Sequence, residues 1–343
     1  MRKFCFIFLI LISATSPGFS QKQGELSKVG TGMAQFLKLS VGARAAALAD
    51  AYSTAANDVS SLFWNPAGIQ QIPRFGFAVS RYQLYADITH NFAGFVIPLN
   101  YNTKLGLHFI YLSSGDIEIT TIDSPNGTGE TYNTSNISAG ITISRRLTER
   151  FLLGFTVKYV SEKIYNESGS TFAFDVGSQF NTGIYGLKLG MALTNFGGKI
   201  QLNGPDLDIT TENPVTGGST VSGGRLQTSS WPIPLTYRLG IMMDLFGPNS
   251  DIAVSEKHRL TMMVDGNDPV DHYLRFNTGV EYEWNRVLAL RGGYRFNYDE
   301  ATYTLGAGLN FNMGRFNALQ IDYAFGDFGL LGYVHQYALL FNF

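Results

Sequence analysis

This sequence of 343 residues has almost no cysteine, few charged residues and no long apolar run beyond its first 20 residues. The one cysteine is Cys5, so the chain that follows can form no disulfide and hold no cysteine-ligated metal. Charged residues make up 15% of the chain, against about 25% in ordinary soluble domains, so part of the surface faces something other than water. No later stretch approaches the roughly 18 apolar residues of a membrane-spanning helix, which excludes a bundle of such helices.

The sequence also lacks the patterns that mark nucleic-acid binding and the common kinds of catalysis. Its 25 basic and 27 acidic residues give a net charge of −2 without a basic run, so no surface for nucleic acid is expected. No nucleophile elbow, zinc-binding helix or P-loop is present, since Gly197, Gly198 and Lys199 are followed by Ile200 and not by Ser or Thr. We therefore expect no enzymatic activity and no cofactor.

Residues 1–20 have the pattern of a secretory signal peptide. Arg2 and Lys3 precede an apolar stretch, and Gly18 and Ser20 place small residues at the −3 and −1 positions of a cleavage site. We predict cleavage after Ser20. The alternative is an N-terminal membrane anchor, which requires a longer apolar run than this one.

Residues 21–73 differ from the rest of the mature chain and predict a short helical segment. Ala dominates residues 41–52 and favours a helix there. Asn57 and Asp58 are candidate N-caps for a second short helix, which ends with Trp64, two residues before a proline. We expect two short helices with a turn between them.

From residue 74 to residue 343 the side chains alternate with a period of two, which is typical of β-strands. Over residues 319–326, Leu, Ile, Tyr and Phe alternate with Gln, Asp, Ala and Gly. The second face carries Gly, Asn, Thr and isolated charges, whereas a soluble sandwich fills its outer face with Lys, Glu and Thr. Together with a signal peptide, this pattern predicts a transmembrane β-barrel surrounded by lipid and disfavours a secreted soluble protein.

Fourteen such segments can be counted, an even number, as bacterial single-chain barrels require. They are residues 74–84, 87–98, 103–113, 134–144, 151–164, 170–181, 185–196, 232–245, 256–265, 271–284, 287–297, 301–312, 316–326 and 331–343. The first strand then starts and the last strand ends on the periplasmic side, and the longest outward loops are 114–133 and 197–231. We therefore predict an all-β fold, a 14-stranded antiparallel barrel over residues 74–343 in the cell outer membrane.

Charged side chains recur on the inward face of these strands. In the C-terminal half they are Arg238, Arg275, Glu281, Glu283, Arg291, Arg295 and Asp322, and Lys158, Asp175 and Lys188 lie on earlier strands. Charges of both signs can pair with one another and with a segment inside the barrel, which is the preferred interpretation. A polar conduction path is the alternative.

Metal binding is not expected. The five histidines fall on different strands or strand ends, where positions at the rim or in the lumen explain them better than a shared metal: His90, His108, His258, His272 and His335. Residues 265–271 offer enough oxygen atoms for calcium but lack the spacing of an EF-hand. We interpret them as an Asp-Gly turn between two strands.

The N-terminal segment resembles that of a known family. Gly42, Ala43 and Arg44 precede an alanine-rich stretch, residues 57–69 read NDVSSLFWNPAGI, and residues 34–39 read AQFLKL. These motifs are similar to those of the PorV/PorQ family, a branch of the FadL-like outer-membrane barrels, and the WNPAG element is shared with the wider FadL-like group. The resemblance covers about residues 30–72 and implies a 14-stranded barrel. PorV itself is longer, so this chain looks like a compact paralogue.

The same segment has the properties of a plug. Small side chains over residues 43–51 let a helix lie close against a barrel wall, and an empty 14-stranded barrel is wide enough to leak. Phe63, Trp64 and Ile69 would supply apolar contacts with the lumen or a ligand. A structural role is preferred over ligand gating. The candidate plug residues are Asn57, Asp58, Phe63, Trp64, Asn65, Pro66, Ala67 and Gly68.

Two functions from different classes are compatible with the sequence. The resemblance implies a non-enzymatic adaptor of type IX protein secretion, which binds the translocon or an exported substrate. The alternative is a FadL-like channel that takes up a hydrophobic small molecule. The charged inward face favours the adaptor, because a channel of this kind requires a continuous apolar groove.

Overall fold

The computed structural model describes residues 29–212, 221–248, 250–298, 302–312 and 318–343. The predicted signal peptide lies outside these residues. Fourteen strands form one closed antiparallel barrel, which confirms the predicted fold class. No helix in the described part of the chain is long and apolar enough to cross a membrane.

The strands follow one another around the barrel in chain order, and the described parts of the loops contain three additional small sheets. In chain order they are β1 (Gly76–Gln83), β2 (Thr89–Asn100), β3 (Thr103–Ser113), β4 (Ile117–Glu118), β5 (Thr131–Tyr132), β6 (Thr134–Thr148), β7 (Phe151–Ile164), β8 (Glu167–Asn181), β9 (Leu187–Gly197), β10 (Lys199–Ile200), β11 (Asp208–Glu212), β12 (Val221–Arg225), β13 (Trp231–Pro232), β14 (Thr236–Phe246), β15 (His258–Pro269), β16 (Arg275–Trp284), β17 (Leu288–Phe296), β18 (Tyr303–Asn312), β19 (Ala318–Asp327) and β20 (Tyr333–Asn342). The sheets β4 with β5, β10 with β13 and β11 with β12 are the three in the loops. Each remaining strand matches one of the 14 predicted segments.

The last strand closes the sheet on the first. β1 pairs with β2 on one side and with β20 on the other, with Gly76 opposite Asn342 and Gln83 opposite His335. Closure gives every barrel strand two neighbours, so no barrel strand presents an open edge to lipid.

Alternation along each strand separates the outer surface of the barrel from its lumen. On β18, Leu305 and Leu309 are 55% and 42% exposed, whereas Thr304 is buried. On β19, Ile321 is 41% exposed and the next residue, Asp322, is buried. The predicted apolar faces therefore form the lipid-facing surface.

The two longest loops lie at one end of the barrel, and most of the connections at the other end are short. Residues 101–102, 149–150 and 285–287 connect strands at the first end, whereas 114–133 and 198–235 connect them at the second. Because bacterial barrels have short periplasmic turns and longer external loops, we assign the first end to the periplasm.

The N-terminal helices are shorter than predicted. The structure has a 3₁₀ helix at Gln35–Lys38, α-helices at Ala43–Ala47 and Ser61–Trp64, and a 3₁₀ helix at Pro66–Gln71. The prediction of a helix over residues 41–52 is partly wrong, because Ala49 and Asp50 adopt left-handed backbone angles that end it. Alanine propensity favours a helix, but it does not fix where the chain must turn to meet the barrel wall.

The predicted turn at residues 265–271 is also misplaced. β15 continues to Pro269, and the chain turns after it. The carboxylate of Asp265 accepts hydrogen bonds from the backbone N–H groups of Tyr52 (3.0 Å) and Ser53 (2.7 Å). These contacts with a distant segment hold Asp265 in the wall, although the local sequence has the composition of a turn.

Candidate functional site

The N-terminal segment lies inside the barrel. Residues 34–72, the lumen segment, are mostly buried and bond to several strands around the wall. Thr304 of β18 donates a hydrogen bond from its hydroxyl to the carbonyl of Ala47 (3.0 Å). On β8, the Gln179 side chain donates to the carbonyl of Ala56 (2.7 Å). The segment therefore occupies the lumen that the strands enclose.

Trp64 and Phe63 belong to a buried aromatic cluster. The Trp64 indole N–H donates to the carbonyl of Val41 (2.7 Å), and its ring meets those of Phe63 and Tyr52 edge on, with centroids 5.1 and 6.1 Å away. The guanidinium of Arg238, a predicted lumen residue on β14, lies 5.0 Å from the Trp64 ring centroid. This cation–π contact joins the aromatic cluster to the wall.

Asn65 connects the WNPAG motif, residues 64–68, to the barrel wall and lies at the start of the next helix. Its side-chain oxygen accepts the N–H of Ala67 (3.2 Å), while its amide donates to the carbonyls of Ser53 (2.7 Å) and of Ser178 on β8 (3.0 Å). Pro66 follows at the first helical position, where a missing N–H costs nothing.

Glycines let this motif pack closely against itself and the wall. A side chain on Gly68 would overlap the carbonyl of Ala56. Gly154 on β7 and Gly177 on β8 leave room for Pro66 in the same way. The motif can therefore approach the wall this closely only because glycine occupies these three positions.

Asn57 is not the predicted helix cap, whereas Asp58 accepts a local hydrogen bond at the start of the second helix. The N-cap of the second helix is Ser60, whose N–H donates to the Asp58 carboxylate (2.9 Å). The Asn57 side-chain oxygen accepts from Arg44 (2.5 Å), and the other Asp58 oxygen accepts from the Tyr52 hydroxyl (2.6 Å). The contacts with Arg44 and Tyr52 join separate parts of the N-terminal segment, so capping rules alone could not predict them.

A chain of alternating charges runs from the lumen segment into the wall. Arg44 donates to both carboxylate oxygens of Glu281 on β16, each at 2.8 Å. Glu281 also accepts from Arg291 on β17 (2.7 Å), and Arg291 donates to Asp322 on β19 (2.6 Å). All four residues are buried, so each charge is neutralised where water is scarce.

Further ion pairs join the segment to the wall and join neighbouring strands of the wall. Arg295 of β17 donates to Asp50 of the segment (2.9 Å). On the other side of the lumen, Lys158 donates to Asp175 (2.8 Å) and to Asn195 (2.5 Å). Ion pairs therefore lie on more than one side of the lumen.

The remaining predicted lumen charges lie nearer the barrel ends. The Arg275 guanidinium is 4.2 Å from the ring centroid of Tyr298 and within 2.7 Å of His272. Glu283 accepts from Arg259 (3.3 Å). Lys188 is partly buried. The predicted lumen residues thus share one face of the sheet but do not form a single cluster.

The histidines are dispersed through the fold. His90 and His108 are buried on the lumen side of β2 and β3, whereas His335 lies on the outer side of β20, with its Nδ1 2.8 Å from the Tyr323 hydroxyl. In the described ranges, no three His, Cys, Asp or Glu side chains are grouped as they would be around a metal ion.

Sequence reasoning missed several residues that hold the segment. Arg44 and Asp50 belong to the lumen segment and pair with charged side chains of the wall. Lys104, Gln179 and Asp265 belong to the wall and bind backbone groups of the segment. One signal was available, because Arg44 is a lone charge in a stretch of small residues, and a charge there needs a partner. The partner itself lies more than 200 positions away and carries no local signal.

A comparison with protein families identifies the chain. The family model described as "Type IX secretion system protein PorV" matches residues 21–203, more than half of the chain. This chain belongs to the PorV family. As a PorV-family protein it is an outer-membrane β-barrel and a component of type IX secretion. No curated protein matches the chain.

Solved structures place this PorV-family barrel in the FadL-like fold. It is similar to the monoaromatic hydrocarbon channel CymD, with a TM-score of 0.58 and 11% identity over 88% of this chain and 97% of that one. The Pseudomonas putida toluene transporter TodX matches with a TM-score of 0.55 and 13% identity over 88% of this chain and 97% of that one. A Pseudomonas aeruginosa FadL homologue matches with a TM-score of 0.54 and 13% identity over 88% of this chain and 98% of that one. Identities this low show a shared fold alone.

Proposed function

We propose that this PorV-family barrel is a closed, non-enzymatic adaptor whose outer loops bind a protein partner during type IX secretion. The partner is either the secretion translocon or an exported substrate. The main observation in support of the proposal is that the lumen segment occupies the interior of the barrel. A barrel occupied by a firmly held segment is suited to presenting its outer surface and not to conducting a solute.

The contacts of the lumen segment support a closed state. Arg44 pairs with Glu281 and Asp50 pairs with Arg295, all of them buried. Removing one partner of a buried ion pair leaves an uncompensated charge, which is strongly destabilising. The segment is therefore a fixed part of the barrel, and moving it out would break several such contacts at once.

The long loops support binding at the outer face. They expose large apolar side chains, with Ile122 fully exposed, Leu226 54% exposed and Trp231 41% exposed. Exposed aromatic and aliphatic groups are typical of protein interaction surfaces. The loops at 114–133 and 198–235 are also the longest outward connections, so they can form an interface of about 800 Å² per partner.

Shortening the outer hairpin tests the adaptor. Residues 208–225, which include β11 and β12, are replaced by a short Gly-Ser turn, while the β10 and β13 pair is kept. The barrel should still assemble, because loop closure depends only weakly on length. We expect the native partner to be lost when the variant is purified from the outer membrane. The control is the double variant Ile252→Ser and Val254→Ser on a periplasmic turn, which should still be purified together with the native partner.

A FadL-like uptake channel would give the opposite results. Uptake of a hydrophobic solute would persist with the hairpin shortened and would fail when the lumen is changed, for example by Trp64→Ala. If the shortened loop keeps every protein partner while Trp64→Ala stops uptake, the adaptor proposal is wrong.

A further inference from the structure

The direction in which the lumen segment crosses the barrel is visible from its contacts at each end. At its C-terminal end the Gln70 side chain donates to the carbonyl of Asn102 (3.1 Å), and Lys104 donates to the carbonyl of Gln70 (2.8 Å). Asn102 lies in the short turn between β2 and β3. The segment therefore leaves the lumen at the periplasmic end, where Phe75 leads into β1.

At its N-terminal end the same segment meets the opposite mouth of the barrel. The Met33 N–H donates to the carbonyl of Pro232 (2.9 Å), and the Ala34 N–H donates to the Glu162 carboxylate (2.8 Å). Pro232 belongs to the long outer loop, and Glu162 lies two residues before the outer end of β7. These bonds place the start of the segment beside the outer loops.

A charged contact strengthens this attachment. Gln35 and Lys38 both donate to one carboxylate oxygen of Asp271, each at 2.9 Å, and Asp271 lies in the outer turn between β15 and β16. Burial acts to raise the pKa of the Asp271 carboxyl, but the hydrogen bonds from Lys38 and Gln35 outweigh it and hold the pKa below its usual value. The carboxylate is therefore charged at neutral pH and available to bind Lys38.

We infer that the lumen segment is threaded through the barrel from the outside to the periplasm, so that residues 29–33 form part of the cell-surface face beside the outer loop 198–235. Val29 is 55% exposed, in contrast to the buried segment that follows. Any protein that binds the outer loop near Trp231 and Pro232 then also meets the start of the lumen segment. The inference depends on the orientation of the barrel and not on the adaptor role.

Threading has a mechanical consequence for the closed state. The segment is fixed at the periplasmic mouth by its covalent connection to β1 and at the outer mouth by the contacts of Met33, Ala34 and Lys38. It cannot swing out into the periplasm about a single hinge, because its outer end would first have to pass down the whole lumen. A partner bound at the outer mouth would hold it in place.

Single cysteines provide the test, because the mature chain has none. Val29→Cys is labelled with a membrane-impermeant maleimide on intact cells and again after permeabilisation. Ile122→Cys in an outer loop and Val254→Cys in a periplasmic turn are the matched controls, and both native side chains are exposed. Leu37→Cys, at a buried position, controls for unfolding and should resist the label in both preparations.

The threaded arrangement predicts that Val29→Cys behaves like Ile122→Cys, with the same labelling before and after permeabilisation, while Val254→Cys is labelled only afterwards. Labelling of Val29→Cys only in permeabilised cells would place the start of the segment in the periplasm and overturn the inference. No labelling of Val29→Cys in either preparation would equally contradict it, provided that Ile122→Cys reacts.

Discussion

At the scale of single residues, Arg44 is one of the side chains that hold the lumen segment in place. It is a buried guanidinium that binds Glu281 through two hydrogen bonds and also reaches Asn57 and the Tyr52 hydroxyl (3.2 Å). Arginine suits this site because its planar group donates in several fixed directions. A lysine would offer a point charge and could not make the paired bonds to the carboxylate.

Arg44→Met should therefore destabilise the protein. The substitution leaves Glu281 with Arg291 as its remaining partner, so we expect a loss of about 3 kcal/mol, at the lower end for a broken buried pair. The free energy of unfolding is measured by urea titration in detergent, with tryptophan fluorescence as the signal. Arg225→Met removes an ion pair with Asp208 that is exposed on the outer loop, and it should leave the unfolding midpoint unchanged. Equal shifts for the two variants would show that Arg44 is not an anchor.

Residue contacts were the least predictable part of the site. The sequence places Arg291 and Asp322 on inward faces, since period-two alternation assigns every strand residue to one side. It does not show that Glu281 pairs with Arg44, because that contact depends on how a helical segment lies across several strands. The turn predicted at Asp265 is wrong for the same reason. The residues that hold Asp265 in the wall are far away in the sequence, because its carboxylate binds backbone N–H groups of the lumen segment.

At the scale of elements, the strands were predictable and the helices were only partly so. The barrel strands are 8 to 15 residues long, and their side chains alternate between lipid and lumen, so the constraint applies at every strand position. The short helix at Ala43–Ala47 ends where the chain must bend, at two residues with left-handed backbone. Helix ends of this kind follow from contacts with the wall and not from propensity.

A charge on the outer face of a strand tests the assignment of that face. Ile321 lies near the middle of β19 and is exposed to the outside. Ile321→Arg should cost about 2–4 kcal/mol if the site faces the bilayer midplane. Leu330→Arg, at a highly exposed position in the turn between β19 and β20, is the control and should have little effect. Unfolding from lipid vesicles measures both, and a negligible cost for Ile321→Arg would mean that β19 faces lipid with its other side.

At the scale of the whole molecule, two parts of the chain depend on each other. The barrel encloses a lumen whose inward charges need partners, and the lumen segment supplies Arg44 and Asp50. In return, wall side chains form hydrogen bonds with backbone groups of the lumen segment, which has little regular structure of its own. Gln179 donates to the carbonyl of Ala56, and Asp265 accepts from the N–H of Tyr52. Polar groups buried without such bonds would be costly on either side.

The central claim is that the lumen segment keeps this PorV-family barrel closed, and conductance in a planar lipid bilayer tests it most directly. The intact protein should stay nearly closed, whereas a variant lacking residues 42–72 should conduct ions through the polar lumen. Heat-modifiable migration on gels establishes that the shortened variant is still a folded barrel. Equal conductance of the two folded forms would contradict the account, because it would mean that the segment does not block the lumen.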